Sequence, residues 1–395
     1  MTVLSSIGFA ALAAWLYLVL GHGGFWRCRE RLPENPLAPA HWPKVAAVLP
    51  ARDEAATVKA VLEDLVAQDY PGALAIFLVD DGSRDGTGEI ARAVATAAPA
   101  NRPITVVAGR PLPAGWTGKL WALAQGVEAA EAHQPDLDFL LFTDADIVHG
   151  TRQLRRLVAQ AQAERADLVS LMAKLVCASL WERLLIPAFV YFFQKLYPFA
   201  WVNDPRRRTA AAAGGCVLIR KRALGRIGGI AAIRGRLIDD CSLARAVKRS
   251  GGRLRVGLAD ETRSLRGYDG LKPIWAMVAR SAYTQLRHSP WLLLGTVLGM
   301  ALLYLVPPLL ALSWPWHGDA AAGLAASLAW LLMALSYRPM LVYYGRPPIE
   351  ALLLPLAGLL YTLMTLDSAR LYHARGGNRW KGRDYGPAGE AGGSA

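Results

Sequence analysis

Two aspartates, Asp144 and Asp146, follow directly on the apolar run Phe139-Leu140-Leu141-Phe142-Thr143. A run that is hydrophobic throughout reads as a strand buried on both faces, as the strands of a parallel sheet are. Its C-terminal end then opens on a crevice, which is where open α/β sheets keep their ligands. Two carboxylates there suit a hard divalent cation, Mg2+ or Mn2+, that leaves coordination positions for phosphate oxygens. The ordinary account of a lone Asp-x-Asp is a solvated turn or a helix N-cap.

Two other strand exits are acidic as well. Val45 to Leu49 reads as a strand and runs into Pro50-Ala51-Arg52-Asp53-Glu54. Ala75 to Val79 reads as another and runs into Asp80-Asp81-Gly82-Ser83, then Arg84-Asp85-Gly86-Thr87. Adjacent carboxylates repel unless a hydrogen bond or a cation offsets the repulsion. Asp85 or Thr87 can cap the helix that follows, which leaves Asp80 and Asp81 to face a ligand. A fourth acidic pair, Asp239-Asp240, opens the helix-like stretch Cys241 to Ser250. It is either a cap favoured by the helix dipole or, beside a metal-bound diphosphate, a general base for an attacking hydroxyl. His149 is a possible third metal ligand, although a supporting or structural histidine fits its place better.

The elements that must hold these acids alternate. Helices are expected over Ala55 to Gln68, Thr87 to Ala97 and Lys119 to Ala132, with a further strand at Ile104 to Val107. Such alternation predicts an α/β domain with a mostly parallel sheet and right-handed crossovers. Residues 45–265 are enough for a single core.

The rest of the chain is apolar and basic. The whole chain has 395 residues, is 53% hydrophobic and carries a formal net charge of +13. Val3 to Leu20 has no charge and is followed by Arg27, Arg29 and Arg31. No basic residue precedes it, so a membrane anchor is preferred to a cleaved leader, with the N-terminus outside and the acidic domain in the cytosol. Trp291 to Leu312 and Ala320 to Val342 read as further spans. Ile349 to Leu366 is shorter, contains Pro355 and has basic residues on both sides. If it crosses, the basic tail lies outside, against the positive-inside rule; the segment is therefore re-entrant or interfacial, or one boundary is misdrawn.

The expected division is an anchor (1–26), a Pro-containing linker (27–44), the α/β domain (45–265), an interfacial segment (266–289), membrane helices (290–369) and a basic tail with a disordered end (370–395). Leu180 to Trp201, rich in aromatics and interrupted by Pro187 and Pro198, reads as an interfacial element, with a buried core helix as the alternative. The cations flank apolar segments, which favours an anionic membrane surface and phosphorylated substrates over nucleic acid. Cys28, Cys177, Cys216 and Cys241 have neither zinc nor redox spacing and read as reduced thiols.

Taken in order, the motifs resemble the family 2 inverting glycosyltransferases of GT-A fold (Rossmann-like) over about Val45 to Leu265. Val48-Leu49-Pro50-Ala51-Arg52-Asp53-Glu54 is similar to their opening motif, and Asp80-Asp81-Gly82-Ser83 with Asp85 and Thr87 to their nucleotide motif. Gly118-Lys119, Ala122 and Gly126 are similar to the helix start that meets the diphosphate, and Asp144-Ala145-Asp146 to the metal motif. Asp239-Asp240 stands where the family carries Glu-Asp, and Gly214-Gly215 before Cys216 is similar to its acceptor strand. The resemblance implies a nucleotide-sugar donor, most often a UDP-sugar, and inversion at the anomeric carbon. It implies that Pro50, Asp53, Glu54, Asp80 and Asp81 line the nucleotide site, with Asp53 and Asp81 at the uridine. Lys119 is implied at the diphosphate, Asp144 at the ribose or metal, Asp146 on the metal and Asp240 as base.

The Gln-x-x-Arg-Trp motif of the processive and ceramide-type members is absent; Arg280 stands in that region, as a leaving-group cation or as a partner of lipid phosphates. With its membrane segments and the tail Arg379-Trp380-Lys381-Gly382-Arg383-Asp384-Tyr385, the chain looks most like the hopene-associated enzymes of bacterial inner membranes. That resemblance implies a lipid acceptor, hopanoid first, with polyprenyl phosphate or a ceramide-like glycolipid as alternatives. A nucleotidyltransferase and an inactive membrane scaffold are the competing classes.

Overall fold

The computed structural model describes residues 2–375, 378–380 and 383–385. The expectation of disorder in the last ten residues, and Lys381 and Gly382 of the tail motif, lie outside them. The chain divides into two compact units, the first built from residues 29–176 and 201–267, the second from described residues up to 28, 177–200 and from 268 to 385.

In the first unit the apolar runs form one sheet of eight strands: β1 (Val45–Ala51), β2 (Leu74–Asp80), β3 (Ile104–Ala108), β4 (Phe139–Thr143), β5 (Ile147–Val148), β6 (Leu168–Lys174), β7 (Cys216–Arg220) and β8 (Leu254–Ser264). Their order is β3-β2-β1-β4-β7-β6-β8-β5. β3, β2, β1 and β4 are parallel, linked by helices Val58–Val66, Thr87–Ala97 and Gly118–His133. Helical crossovers return each strand in the same sense, so the exits of β1, β2 and β4 open on one edge. β7 runs antiparallel to β4 and β6, and β5 to β8. The mostly parallel sheet expected from the sequence thus describes the motif-bearing half, and the other half is mixed. β7 is reached through a long excursion rather than a single crossover helix, so nothing forces it to keep the parallel sense.

The core is aliphatic. Leu49, Ile76, Phe139, Leu141, Val169 and Leu218 are fully buried between the sheet and its helices, each stabilising the fold by about 1.5–3 kcal/mol. The helix Gly118–His133 lies on β1 and β2 with unusual closeness at Gly126, where a Cβ would stand 2.3 Å from Val48 Cγ1 and 3.1 Å from Val79 Cγ2. Only a hydrogen fits there. That close approach sets the helix's first turn, and with it Lys119, at the edge on which the exits of β1, β2 and β4 open.

Among the described residues, the second unit holds four helical segments long and apolar enough to cross a membrane: Val3–Leu20, Pro290–Leu312, Ala320–Tyr343 and Pro348–Ala374. On Ala320–Tyr343 the residues Leu324, Leu328, Leu331 and Leu335 are exposed, at helical spacing, which puts an apolar stripe where a water-soluble helix carries polar groups. Its opposite face is packed: Tyr191 Oη meets Ser336 Oγ at 2.7 Å. The last segment is longer than the Ile349–Leu366 stretch taken from hydropathy, which corrects that boundary. Pro355 falls in the first turn of its α-helix, Leu354–Arg375, where a missing N–H interrupts no helical bond. Pro187 lies inside Leu180–Leu196, a helix with a Ser179–Glu182 capping box and buried Leu185, Ile186 and Tyr191. This is the packing of the buried-helix alternative, although Leu180, Trp181 and Leu196 remain exposed.

Candidate active site

The β1 and β2 exits are stitched together by main-chain hydrogen bonds. Asp53 adopts φ +52°, a region that a non-glycine residue occupies only when its surroundings impose it. Its N–H donates to Ser83 Oγ (3.0 Å), and its Oδ1 accepts from the Arg84 N–H (2.9 Å). Asp80 Oδ1 accepts from the Ser83 N–H (3.0 Å). Asp81 is buried, with Arg52 Nη1 3.9 Å from its carboxylate and donating to its carbonyl at 2.6 Å. Asp85 accepts from the Ala55 N–H (2.9 Å) and the Thr87 N–H (3.1 Å), so it clamps one exit to the other, the structural role its position allows.

Across the edge, side-chain cations organise the acids. Lys119 Nζ lies 2.8 Å from Asp144 Oδ1 and 3.3 Å from Asp239 Oδ2. Burial works against its charge, but the attraction of Asp144 and Asp239 outweighs it and raises the ammonium pKa. Burial raises the Asp144 carboxyl, and Lys119 opposes the rise. Asp239 and Asp240 occupy the first turn of the helix Asp239–Arg249, one step further into the helix than expected. Asp240 Oδ2 accepts from the Gly214 N–H (2.9 Å) and Oδ1 from the Cys241 N–H (2.6 Å). Burial first, then repulsion from Asp239, pushes its pKa up to about 6. Pro50, Lys119, Asp144, Gly214, Asp239 and Asp240 line one cavity. A Cβ on Gly214 would stand 3.2 Å from Lys119 Nζ and 3.5 Å from Asp240 Oδ2, so the missing side chain keeps this corner open.

Asp146 is held by a residue the sequence analysis did not single out. Arg266, just past β8, places Nε 2.9 Å from Asp146 Oδ2 and its Nη2 against Glu54 Oε2. The available sequence signal was a lone arginine past a strand end, too common to stand out. Among the described residues no three His, Cys, Asp or Glu side chains are grouped to hold a metal ion unaided. The carboxylate oxygens of Asp146, with Asp144 two residues before it, are nevertheless of the kind that suits Mg2+ or Mn2+, which binds through one or two carboxylates and substrate phosphates.

His149 is no ligand in this arrangement. It is buried, its Nε2 lies 2.8 Å from Thr143 Oγ1, and burial pushes its pKa down to about 4. Arg280 belongs to the other unit, exposed at the C-terminus of the helix Leu271–Ala279.

Residues 43–282 match the family described as glycosyltransferase like family 2. Among solved structures, the mannosyltransferase PcManGT from Pyrobaculum calidifontis, in complex with GDP-Man and Mn2+, is 21% identical with a TM-score of 0.53, over 94% of this chain and 99% of that one. Glucosyl-3-phosphoglycerate synthase from Mycobacterium tuberculosis, in complex with Mn2+ and UDP-glucose, is 18% identical with a TM-score of 0.38, over 62% of this chain and 78% of that one. Among curated proteins nothing matches. The first likeness speaks for the GT-A fold, and the family match covers more than half of the chain: it belongs to the family 2 glycosyltransferases.

Proposed function

We propose that the protein is a metal-dependent inverting glycosyltransferase of the bacterial inner membrane, moving a sugar from a nucleotide-sugar, UDP-linked by the family resemblance, to a membrane lipid. The observation that carries the reading is Asp240: a carboxylate with a pKa near 6, aimed by two backbone amides beside Lys119. A base of that strength is matched to taking a proton near neutrality.

In this mechanism Asp53, Asp80 and Asp81 receive the nucleoside and Lys119 lies along the diphosphate. Mg2+ or Mn2+, held by Asp146 with Asp144 near the ribose, supplies further positive charge to the diphosphate when bound. The acceptor oxygen forms its bond to C1 as the bond from C1 to the β-phosphate oxygen breaks. Asp240 takes the hydroxyl proton, and the electron pair leaves on the nucleoside diphosphate. One displacement gives inversion without a covalent enzyme intermediate. Arg280 is assigned to an anionic group, either the departing diphosphate or a lipid phosphate; loss of kcat alone in Arg280→Gln selects the first. Arg27, Arg29 and Arg31 orient the catalytic unit to the cytosol, and the apolar helices support a lipid acceptor, with hopanoid first and polyprenyl phosphate or a ceramide-like glycolipid behind it.

The test is to incubate membranes containing the protein with a panel of labelled nucleotide-sugars and extract the lipids. Label in the lipid fraction with release of a nucleoside diphosphate is expected. Release of pyrophosphate would overturn the reading in favour of nucleotidyl transfer. Turnover that survives Asp240→Asn would remove Asp240 from its role.

A further inference from the structure

Glu54 and Asp146 come from the exits of two different strands, β1 and β4, and one guanidinium bridges them. Both carboxylates are recessed, with side chains 11% and 18% exposed, whereas Arg266 is 42% exposed, so it covers them from the solvent side. Its position is set by the main chain. The Leu265 N–H donates to the Asp146 carbonyl (2.8 Å), and the Arg266 N–H donates to Ser264 Oγ (3.1 Å). Two residues later, at Tyr268, the chain passes into the other unit.

The Asp146 carboxylate that meets Arg266 through Oδ2 is the group to which the proposed function assigns the divalent cation. Mg2+ binds oxygen at about 2.0–2.1 Å in a strict octahedron, and a charge-assisted N–H···O bond holds the guanidinium nitrogen at about 2.7–2.9 Å. The two cations cannot share the same oxygen face. Without either of them, Glu54 and Asp146 would be two neighbouring recessed carboxylates repelling each other. We infer that Arg266 is a positioning residue that competes with the metal: it holds Glu54 and Asp146 in place in the metal-free site and is displaced as the divalent cation loads. The inference rests on the assignment of the metal to Asp146.

The consequence is a site that binds metal weakly alone and well with donor. A nucleoside diphosphate adds phosphate oxygens for the divalent cation and offers Arg266 a new anionic partner, which favours its displacement. Metal and nucleotide therefore bind cooperatively, and Arg266 supplies part of the coupling.

The experiment titrates Mn2+ into the purified full-length protein in detergent and follows free Mn2+ by electron paramagnetic resonance, with and without UDP. For Arg266→Gln without nucleotide we expect Mn2+ to bind about 3- to 5-fold more tightly than in the parent, the scale of a partly exposed charged contact removed from one side of the equilibrium. UDP should then tighten Mn2+ binding less in the variant than in the parent. Arg266→Lys, which keeps the charge but loses the two-pronged reach, should fall between the two, and it carries the test if the Gln variant does not fold. Unchanged or weaker Mn2+ binding in the substituted protein overturns the inference. Asp146→Asn separates the underlying reading: if that variant binds Mn2+ like the parent, the metal assignment falls first, and the role of Arg266 falls with it.

Discussion

Three acids at the β1 and β2 exits, Asp53, Asp80 and Asp85, and three acids across the edge, Asp144, Asp146 and Asp239, are held in different ways. Asp53, Asp80 and Asp85 accept hydrogen bonds from backbone N–H groups, whereas Asp144, Asp146 and Asp239 are paired with the side-chain cations of Lys119 and Arg266. A backbone amide cannot leave without moving the chain, so the first group is a fixed frame. A side-chain cation can be exchanged for another cation, so the second group is the one that suits the metal and diphosphate of the proposed function. Asp240 lies on the exchangeable side yet is held by the amides of Gly214 and Cys241. A base needs a fixed aim, and this exception to the pattern accords with the role proposed for Asp240.

The sharpest way to break the comparison is Asp240→Asn. It keeps the shape and removes the proton acceptor, so kcat/KM should fall by about 10²–10⁴-fold, while donor binding, measured by calorimetry, stays near the parent value. Lys119→Met strips the cation shared by Asp144 and Asp239. Turnover should drop by about 10²-fold, with weaker binding of a nucleoside diphosphate in the same titration. An intact affinity would show that Lys119 serves the fold alone.

A pH series sharpens the same point. The Asp240 carboxyl is raised to about 6 by burial and by Asp239, so it is protonated below that pH and cannot accept a proton. The profile of kcat/KM should therefore fall roughly tenfold per unit on the acid side of about pH 6, and the inflection should move higher in Lys119→Met, because Lys119 holds that pKa down. The smallest effect is expected on the fixed side. Asp85→Ala removes the clamp to Ala55 and Thr87; thermal unfolding should show a loss of about 1 kcal/mol, and kcat should change little.

Much of this was legible in the residues. The parallel half of the sheet, its helices and the three acidic exits follow from local periodicity, and the strands extend only a residue or two past the apolar runs, to Ala51 and Asp80. The split of Asp85 from Asp80 and Asp81 was open to the same reasoning, but the helix's N-cap is Gly86 without a side-chain bond, and Asp85 ties Ala55 to Thr87 instead. The four apolar segments were legible too, but the last was drawn too short because hydropathy fades before the helix ends. Arg266 was not legible. Nothing near it in sequence points to Glu54 or Asp146, which lie 212 and 120 residues away.

The sequence by itself determined which residue types reach the ligand edge: carboxylates at strand ends, a lysine in a helix's first turn and apolar segments at both ends of the chain. Periods of two and 3.6 residues and the chemistry of turns are written locally. Only the tertiary structure decided which partner each acid takes, that β7 runs against its neighbours and that His149 is buried beside Thr143 rather than turned to a metal. Those outcomes depend on contacts between residues far apart in the chain, where small differences in packing and charge select among many partners.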